Sequence, residues 1–148
     1  MNLTNFLKTG KFLKLKIGLP EKKIYSVLKK KYLGKKNYFN KLNKDEGFSY
    51  YYDGLQIIIV DSKIHTIGFD LTYNPITLLN NIFIYPETSL ELIMKYLDIA
   101  DIEWCFEKRN HYGRELTIRT EGNVLISCIY DKGNYRLSKF QISKDVFD

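Results

Sequence analysis

Cysteine, histidine and long apolar runs are scarce in this chain, and each scarcity removes a class of explanation. Of 148 residues, two are Cys and two are His. Cys105 and Cys128 both fall inside apolar segments that read as strands, where a free thiol behaves as a small hydrophobe. A disulfide between them would suit neighbouring strands but calls for a secretory context. His65 and His111 stand at no ligand spacing from the cysteines, so no metal site is expected. No stretch approaches the roughly 18 apolar residues of a membrane span. Lysines 8, 11, 14 and 16 interrupt the N-terminal "MNLTNFLKTGKFLKLKIGLP", which removes the apolar stretch of a signal peptide. The expectation is a soluble, cytoplasmic protein with no membrane contact.

Catalytic signatures are missing as well. Gly18, Gly34, Gly47, Gly54 and Gly68 stand alone, so there is no phosphate-cradling loop and no cofactor is expected. No Ser-His-Asp or Cys-His order stands out. Asp53, Asp61, Glu121 and Asp131 fall at turns, where carboxylates serve local backbone bonding. Glu103 and Glu107 share a predicted strand face, and Arg119 is placed to neutralise one of them across a sheet. These absences favour a binding protein over an enzyme.

What the chain does have is aromatic and basic. Hydrophobic residues make up 45% and aromatics 15%, enough for one folded domain of this length. The net charge is +6, and nine lysines (Lys22, Lys23, Lys29, Lys30, Lys31, Lys35, Lys36, Lys41 and Lys44) crowd one segment. That segment would attract nucleic acid, anionic lipid or an acidic protein, and it also suits a solvated helix face and loop. Twelve Tyr and nine Phe exceed what the core requires. Tyr is enriched at interfaces because it offers contact area with a polar tip.

The order of elements reads as α+β, a helix plus antiparallel meander repeated in tandem within a single domain. In "GLPEKKIYSVLKKKYLG", Pro20 suits a helix start and Gly34 a stop, with Ile24, Val27 and Leu28 as the apolar stripe. Strands are expected over 48–52, 55–60 and 64–71, with Asp53-Gly54 closing a tight hairpin. A second helix is expected in "ETSLELIMKYLDIADI", capped by Thr88 with Glu91 and striped by Leu90, Ile93, Met94 and Leu97. Strands over 102–107, 115–120, 124–130 and 135–142 follow it. The units span 11–72 and 87–143, joined by 72–86 with Asn74-Pro75 as a short-helix start. "LQIIIVDSKIHTI" is set against "LTIRTEGNVLISC". Strand 55–60 is apolar on both faces, so its second face should be at least partly covered.

"KIGLPEKKIYSVL" followed by "YYYDGLQIIIVDSKIHTIGF" resembles the helix-plus-meander unit of the β-lactamase inhibitor proteins and of the barrel-assembly lipoproteins. Similar pieces occur in small cytoplasmic immunity proteins of bacterial polymorphic toxin systems. Gly18, Ile24, Leu55, Ile57, Ile64 and Ile67 carry the match. The lack of a lipobox cysteine and of a signal sequence favours the immunity proteins. The resemblance implies a protein that occludes a cognate toxin, whose surface would be acidic to suit a basic inhibitor. The expected contacts are Tyr50, Tyr52 and Asp53 at the first hairpin, with Arg109, His111, Tyr112 and Arg114 in the long loop of the second unit. The alternative is a basic nucleic-acid-binding module built on the Lys22 to Lys44 lysines.

Overall fold

The computed structural model describes residues 1–72, 75–108 and 115–144; Asn74 and most of the predicted turn over 108–113 lie outside them. Ten strands are present among the described residues: β1 (Asn37–Tyr38), β2 (Phe48–Tyr52), β3 (Leu55–Val60), β4 (Lys63–Asp70), β5 (Ile76–Leu78), β6 (Ile82–Ile84), β7 (Trp104–Phe106), β8 (Glu115–Thr120), β9 (Leu125–Asp131) and β10 (Asn134–Ser143). Eight form one sheet in the order β1-β2-β3-β4-β10-β9-β8-β7, and β5 and β6 form a separate hairpin. Every pairing in the large sheet is antiparallel. The class is α+β, mostly sheet, in one domain.

Tight turns follow from local chemistry. Asp53 and Gly54 have φ of 49° and 86°, and Asp61 and Ser62 have 51° and 61°. Two consecutive left-handed residues match the twist of the flanking strands, which is why two-residue hairpins favour them. Asp and Gly tolerate that region; Ser62 occupies it under strain.

The last strands of the two meanders, β4 and β10, meet at the centre. Their register sets Phe69 against Phe140 and Ile67 against Ile142. With Tyr50 opposite Ile57 and Ile118 opposite Ile126, the inward rows of both halves run into a single apolar cluster. Two register shifts keep these rows aligned, one between Ile58 and Ile59 and one between Leu137 and Lys139. The strand order also corrects the internal match. The hairpin β3–β4 and the hairpin β9–β10 hold equivalent central places, so setting "LQIIIVDSKIHTI" against "LTIRTEGNVLISC" is one strand out of step.

The helices depart further from expectation. Instead of one helix in "GLPEKKIYSVLKKKYLG", a 3₁₀ turn (Glu21–Ser26) and a four-residue helix, α2 (Lys30–Leu33), are separated by a break. Lys29 is extended at ψ 135°, and Ser26 Oγ bonds the Lys23 carbonyl at 2.7 Å, so side chain and backbone compete for the groups an α-helix would use. Within the 3₁₀ turn only Ile24 is buried. The second helix, α3 (Leu90–Ile99), forms as expected with Ile93 and Leu97 buried, but its cap is Ser89, which accepts from the Leu92 amide at 3.2 Å. The Thr88 hydroxyl accepts from the Tyr85 amide instead. The linker is the β5–β6 hairpin rather than a short helix.

The N-terminal segment is core. Leu3, Phe6, Leu7, Phe12 and Leu15 are buried, while the interspersed lysines stay outside. Helix α1 (Thr4–Thr9) ends at Gly10 with φ 71°, and Phe6, Phe12 and Phe69 make mutual edge-to-face contacts at 4.8–6.5 Å. The end of α1 is tied to the β8–β9 turn, where the Leu7 carbonyl accepts from the Gly122 amide at 3.0 Å and from Thr120 Oγ1 at 2.6 Å. That approach leaves no room at Gly122, since a Cβ there would lie 2.6 Å from Gly10 N and from Leu7 O. Gly122→Ala should therefore lower the unfolding free energy by about 2–3 kcal/mol in urea titration. A change below about 0.5 kcal/mol would show that the segment is not docked there.

Candidate functional site

Among the described residues, α1, the Glu21–Ser26 turn, α2 and α3 pack on one face of the sheet. Their buried residues and the inward strand rows form one cluster, to which Ile58, Val60 and Ile129 do not belong. Leu125 is the telling residue: it is buried, yet it lies outside that cluster. It pairs with Gln141 and Arg119 on the opposite face. The doubly apolar β3 is thereby explained, with Leu55, Ile57 and Ile59 buried in the core and Ile58 and Val60 half-buried on the other side.

This second face has a floor of small side chains along its centre. Thr66 and Gly68 on β4, Ser143 on β10, Ser127 on β9 and Thr117 on β8 lie low. Around them stand Tyr51, Ile58, Lys139, Arg119 and Glu107. Thr117 Oγ1 is buried and has no hydrogen-bond partner among the described residues. Glu107 is buried, with Arg119 Nε at 3.4 Å from its carboxylate. Arg119 thus neutralises Glu107 as expected. Glu103 is engaged separately, its amide donating to Glu121 at 3.1 Å. Both cysteines are free: Cys105 faces this surface and Cys128 the core, where burial, then the nearby Glu115 charge, pushes its thiol up to about 12.

At one end of the sheet the floor opens between side chains of several strands. The Asp53-Gly54 turn, the end of β4, the β9–β10 turn, the end of β7 and the start of β8 all lie there by register. Tyr51 donates to Asp70 Oδ2 at 3.2 Å. Burial works to raise the Asp70 pKa, but hydrogen bonds from Thr72 and Tyr51 and the Lys139 charge outweigh it and hold it low. Beside them an open depression of about 500 Å³ is lined by residues including Asp70, Ile129, Asp131 and Arg136. Tyr51 and Ile129 are exposed here on the second face, while Tyr52, Tyr130 and Tyr135, exposed at the same end, alternate to the helical side with Tyr50, Cys128 and Leu137.

Of the expected contacts, Tyr52 and Asp53 are exposed at the hairpin, with the Tyr52 ring 6.0 Å from that of Tyr32. Tyr50 is 4% exposed and belongs to the core. Arg109, His111, Tyr112 and Arg114 lie outside the described residues. Alternation alone leaves open which of the three consecutive tyrosines turns inward; the register with Ile57 decides it.

Tyr50 has a structural task. Its hydroxyl lies 2.6 Å from that of Tyr25, and both reach Glu21 Oε1, Tyr25 at 2.6 Å and Tyr50 at 3.2 Å. Lys36 Nζ completes the group at 2.9 Å from Glu21. Burial would raise the Glu21 pKa, but bonds from Tyr25 and Lys36, the Lys36 charge and the Tyr50 hydroxyl leave it below its ordinary 4.5. Burial first, then the bond to Glu21, pushes the Tyr25 hydroxyl well up. This cluster ties the 3₁₀ turn to β2.

Charge is divided along the chain. Residues 1–44 carry thirteen lysines against Glu21 alone, a charge of +12, whereas residues 45–148 hold ten basic and sixteen acidic side chains, a charge of −6. Four of those lysines lie over aromatic rings at 4.5–5.2 Å: Lys30 on Tyr25, Lys31 on Tyr32, Lys36 on Phe48 and Lys44 on Tyr38. Among the described residues no helix is long and apolar enough to cross a membrane, and no cluster of His, Cys, Asp or Glu could hold a metal ion.

No protein family, curated protein or solved structure matches this chain.

Tyr50→Phe should cost about 1–2 kcal/mol by urea titration, since it withdraws a half-buried hydroxyl from Glu21 and Tyr25. Glu21 is depressed in the folded state, so its contribution is present above the ordinary value near 4.5 and is lost as pH falls through the lower folded value. Stability of Glu21→Gln should therefore change less than that of the native chain on acidification from pH 5 to pH 2. Equal slopes for the two would remove Glu21 from the account.

Proposed function

We propose that the chain is a non-catalytic inhibitor that binds another protein in the cytoplasm, as an immunity protein does when it occludes a cognate bacterial toxin. One observation carries this reading: among the described residues the sheet has a second face, turned away from the helical core, with a small-residue floor and with Tyr51 and Ile129 exposed at one end. Rigid strands hold such side chains in place before binding, so little ordering entropy opposes association. Tyr51 and Asp53 are the anchors this reading selects, with Ile129 at the same end of the sheet; Tyr52 stays in the contact set as a hairpin residue that turns to the helical side, and Tyr50 is left out because its ring is enclosed. Arg109, His111, Tyr112 and Arg114 stay in the proposed contact set on their sequence alone.

The test is coexpression with the protein encoded beside it. Relief of that protein's toxicity and a stable complex are expected, and Tyr51→Ala or Tyr52→Ala should weaken binding about 10- to 100-fold. Absence of both relief and complex would end the reading.

Division of charge favours a second reading, a nucleic-acid-binding module. Retention on heparin that collapses between about 50 and 200 mM salt, with RNA affinity falling in parallel, would support it. Binding to one protein that tolerates such salt would support inhibition. The lysines that cover aromatic rings count against base stacking, because those faces are already occupied.

A further inference from the structure

Of the two edges of the eight-stranded sheet, the one formed by β7 is open. The Glu121 amide donates to the Glu103 carbonyl at 2.8 Å, and the Glu107 amide donates to the Thr117 carbonyl at 2.9 Å. Antiparallel ladders bond at every second residue, so Glu103, Cys105 and Glu107 turn their backbone groups toward β8 while Trp104 and Phe106 turn theirs away from it. Among the described residues nothing bonds those outward amides and carbonyls. The side chains here are also uncovered. Trp104 and Phe106 meet edge to face at 5.5 Å, Phe106 is 44% exposed, and Ile99 at the end of α3 is 64% exposed. An apolar edge left open in this way is a liability for a free monomer.

Charge is gathered at the same place. Residues 98–107 hold four acids and no Lys or Arg. Arg119 neutralises Glu107, but Asp98, Asp101 and Glu103 line a depression of about 510 Å³ with Ile102 and Trp104, and among the described residues none of the three enters an ion pair. Glu121 adds a further carboxylate, since its Oε1 accepts from the Glu103 amide. Asp98 has a local task, accepting from Trp104 Nε1 at 2.9 Å. Asp101 has no such bond among the described residues. It follows α3 directly, where the helix dipole favours a cation, and the last turn of α3 holds no basic residue. Its φ of 57° would suit glycine better. The free chain thus gains little from a carboxylate at this position.

We infer that the outer edge of β7 takes an extended, basic segment of the protein partner as a further strand. Trp104 and Phe106 supply the backbone bonds, and Lys or Arg side chains of the segment meet Asp101 and Glu103. An extended segment is what an open strand edge can hold. Charge selects a cationic one, because the carboxylates line the site itself. They repel phosphate, which excludes nucleic acid and anionic lipid. A second copy is disfavoured, because β7 against β7 about Cys105 would set Glu103 of one chain opposite Glu107 of the other. A strand added here widens the second face at its β7 side, so one partner can lie over both face and edge. The site deepens the proposed inhibitor function and rests on that reading for the protein that carries the segment.

Amide hydrogen exchange tests it, with the protein encoded beside this chain as the probe. The Trp104 and Phe106 amides should exchange rapidly in the free chain and at least about 100-fold more slowly in the complex. Asp101→Asn with Glu103→Lys should weaken binding about 10- to 100-fold, with the larger loss at low salt. The thermal midpoint of that variant should be unchanged or raised, because Asp101 opposes the helix dipole. If the native chain binds the probe and the two amides stay unprotected, the inference is overturned while the inhibitor function stands. Protection together with undiminished binding by the charge variant would overturn it in favour of an uncharged strand. Protection that grows with the free chain's own concentration would overturn it in favour of a second copy. If the native chain does not bind the probe, both fall.

Discussion

The register between β4 and β10 is the constraint on which the rest of the molecule depends. Phe69 against Phe140 and Ile67 against Ile142 bring the apolar rows of both meanders to the same face. Side chains alternate along a strand, so a slip of one residue on either side would offer Gly68 or Gln141 to the core in place of a phenylalanine. Fully burying such a side chain is worth about 1.5–3 kcal/mol, and the slip would forfeit several at once. The correct register also sends Thr66, Gly68 and Ser143 to the opposite face. One pairing thus makes the core continuous and gives the second face its small-residue floor.

That surface and the helical face have different characters. Helical segments and the N-terminal strap close the core, and the Glu21–Tyr25–Tyr50–Lys36 cluster ties the 3₁₀ turn to β2 at the edge of the sheet. On the open side, polar and aromatic groups stand at fixed positions on strands, and Thr117 holds a buried hydroxyl with no partner among the described residues. Exposed tyrosines are poor ways to stabilise a free monomer. They are effective ways to prepare a surface for association.

How much was legible in the sequence depends on where the signal was local. Asp53-Gly54 announced its hairpin, and alternation placed most strands within a residue or two, because turn chemistry and the pleat act over short distances. The broken helix at 21–33 was not legible: Pro20 and Gly34 bracket a helix convincingly, while the extended Lys29 depends on the tertiary seat of Ile24 and Leu33. Lysines hid the buried N-terminal segment, since a chain of Phe, Leu and Lys at irregular spacing matches no single period. The internal match is one strand out of step because β1, only two residues long, carries no period of its own. At the candidate surface, Tyr52 and Asp53 were readable from the turn. Tyr51 could not be told from Tyr50 until the register with Ile57 was known.

Native-state hydrogen exchange at the central seam tests the account most directly. If the two meanders form one cooperative sheet, the amides bonded between β4 and β10 open only with global unfolding, at the slowest rates in the protein and with the full denaturant dependence. Seam amides that exchange by a smaller opening, while β2–β3 and β8–β9 keep separate protection, would contradict it: the halves would then be two bodies in contact, and the continuous open face would not exist as a surface for recognition.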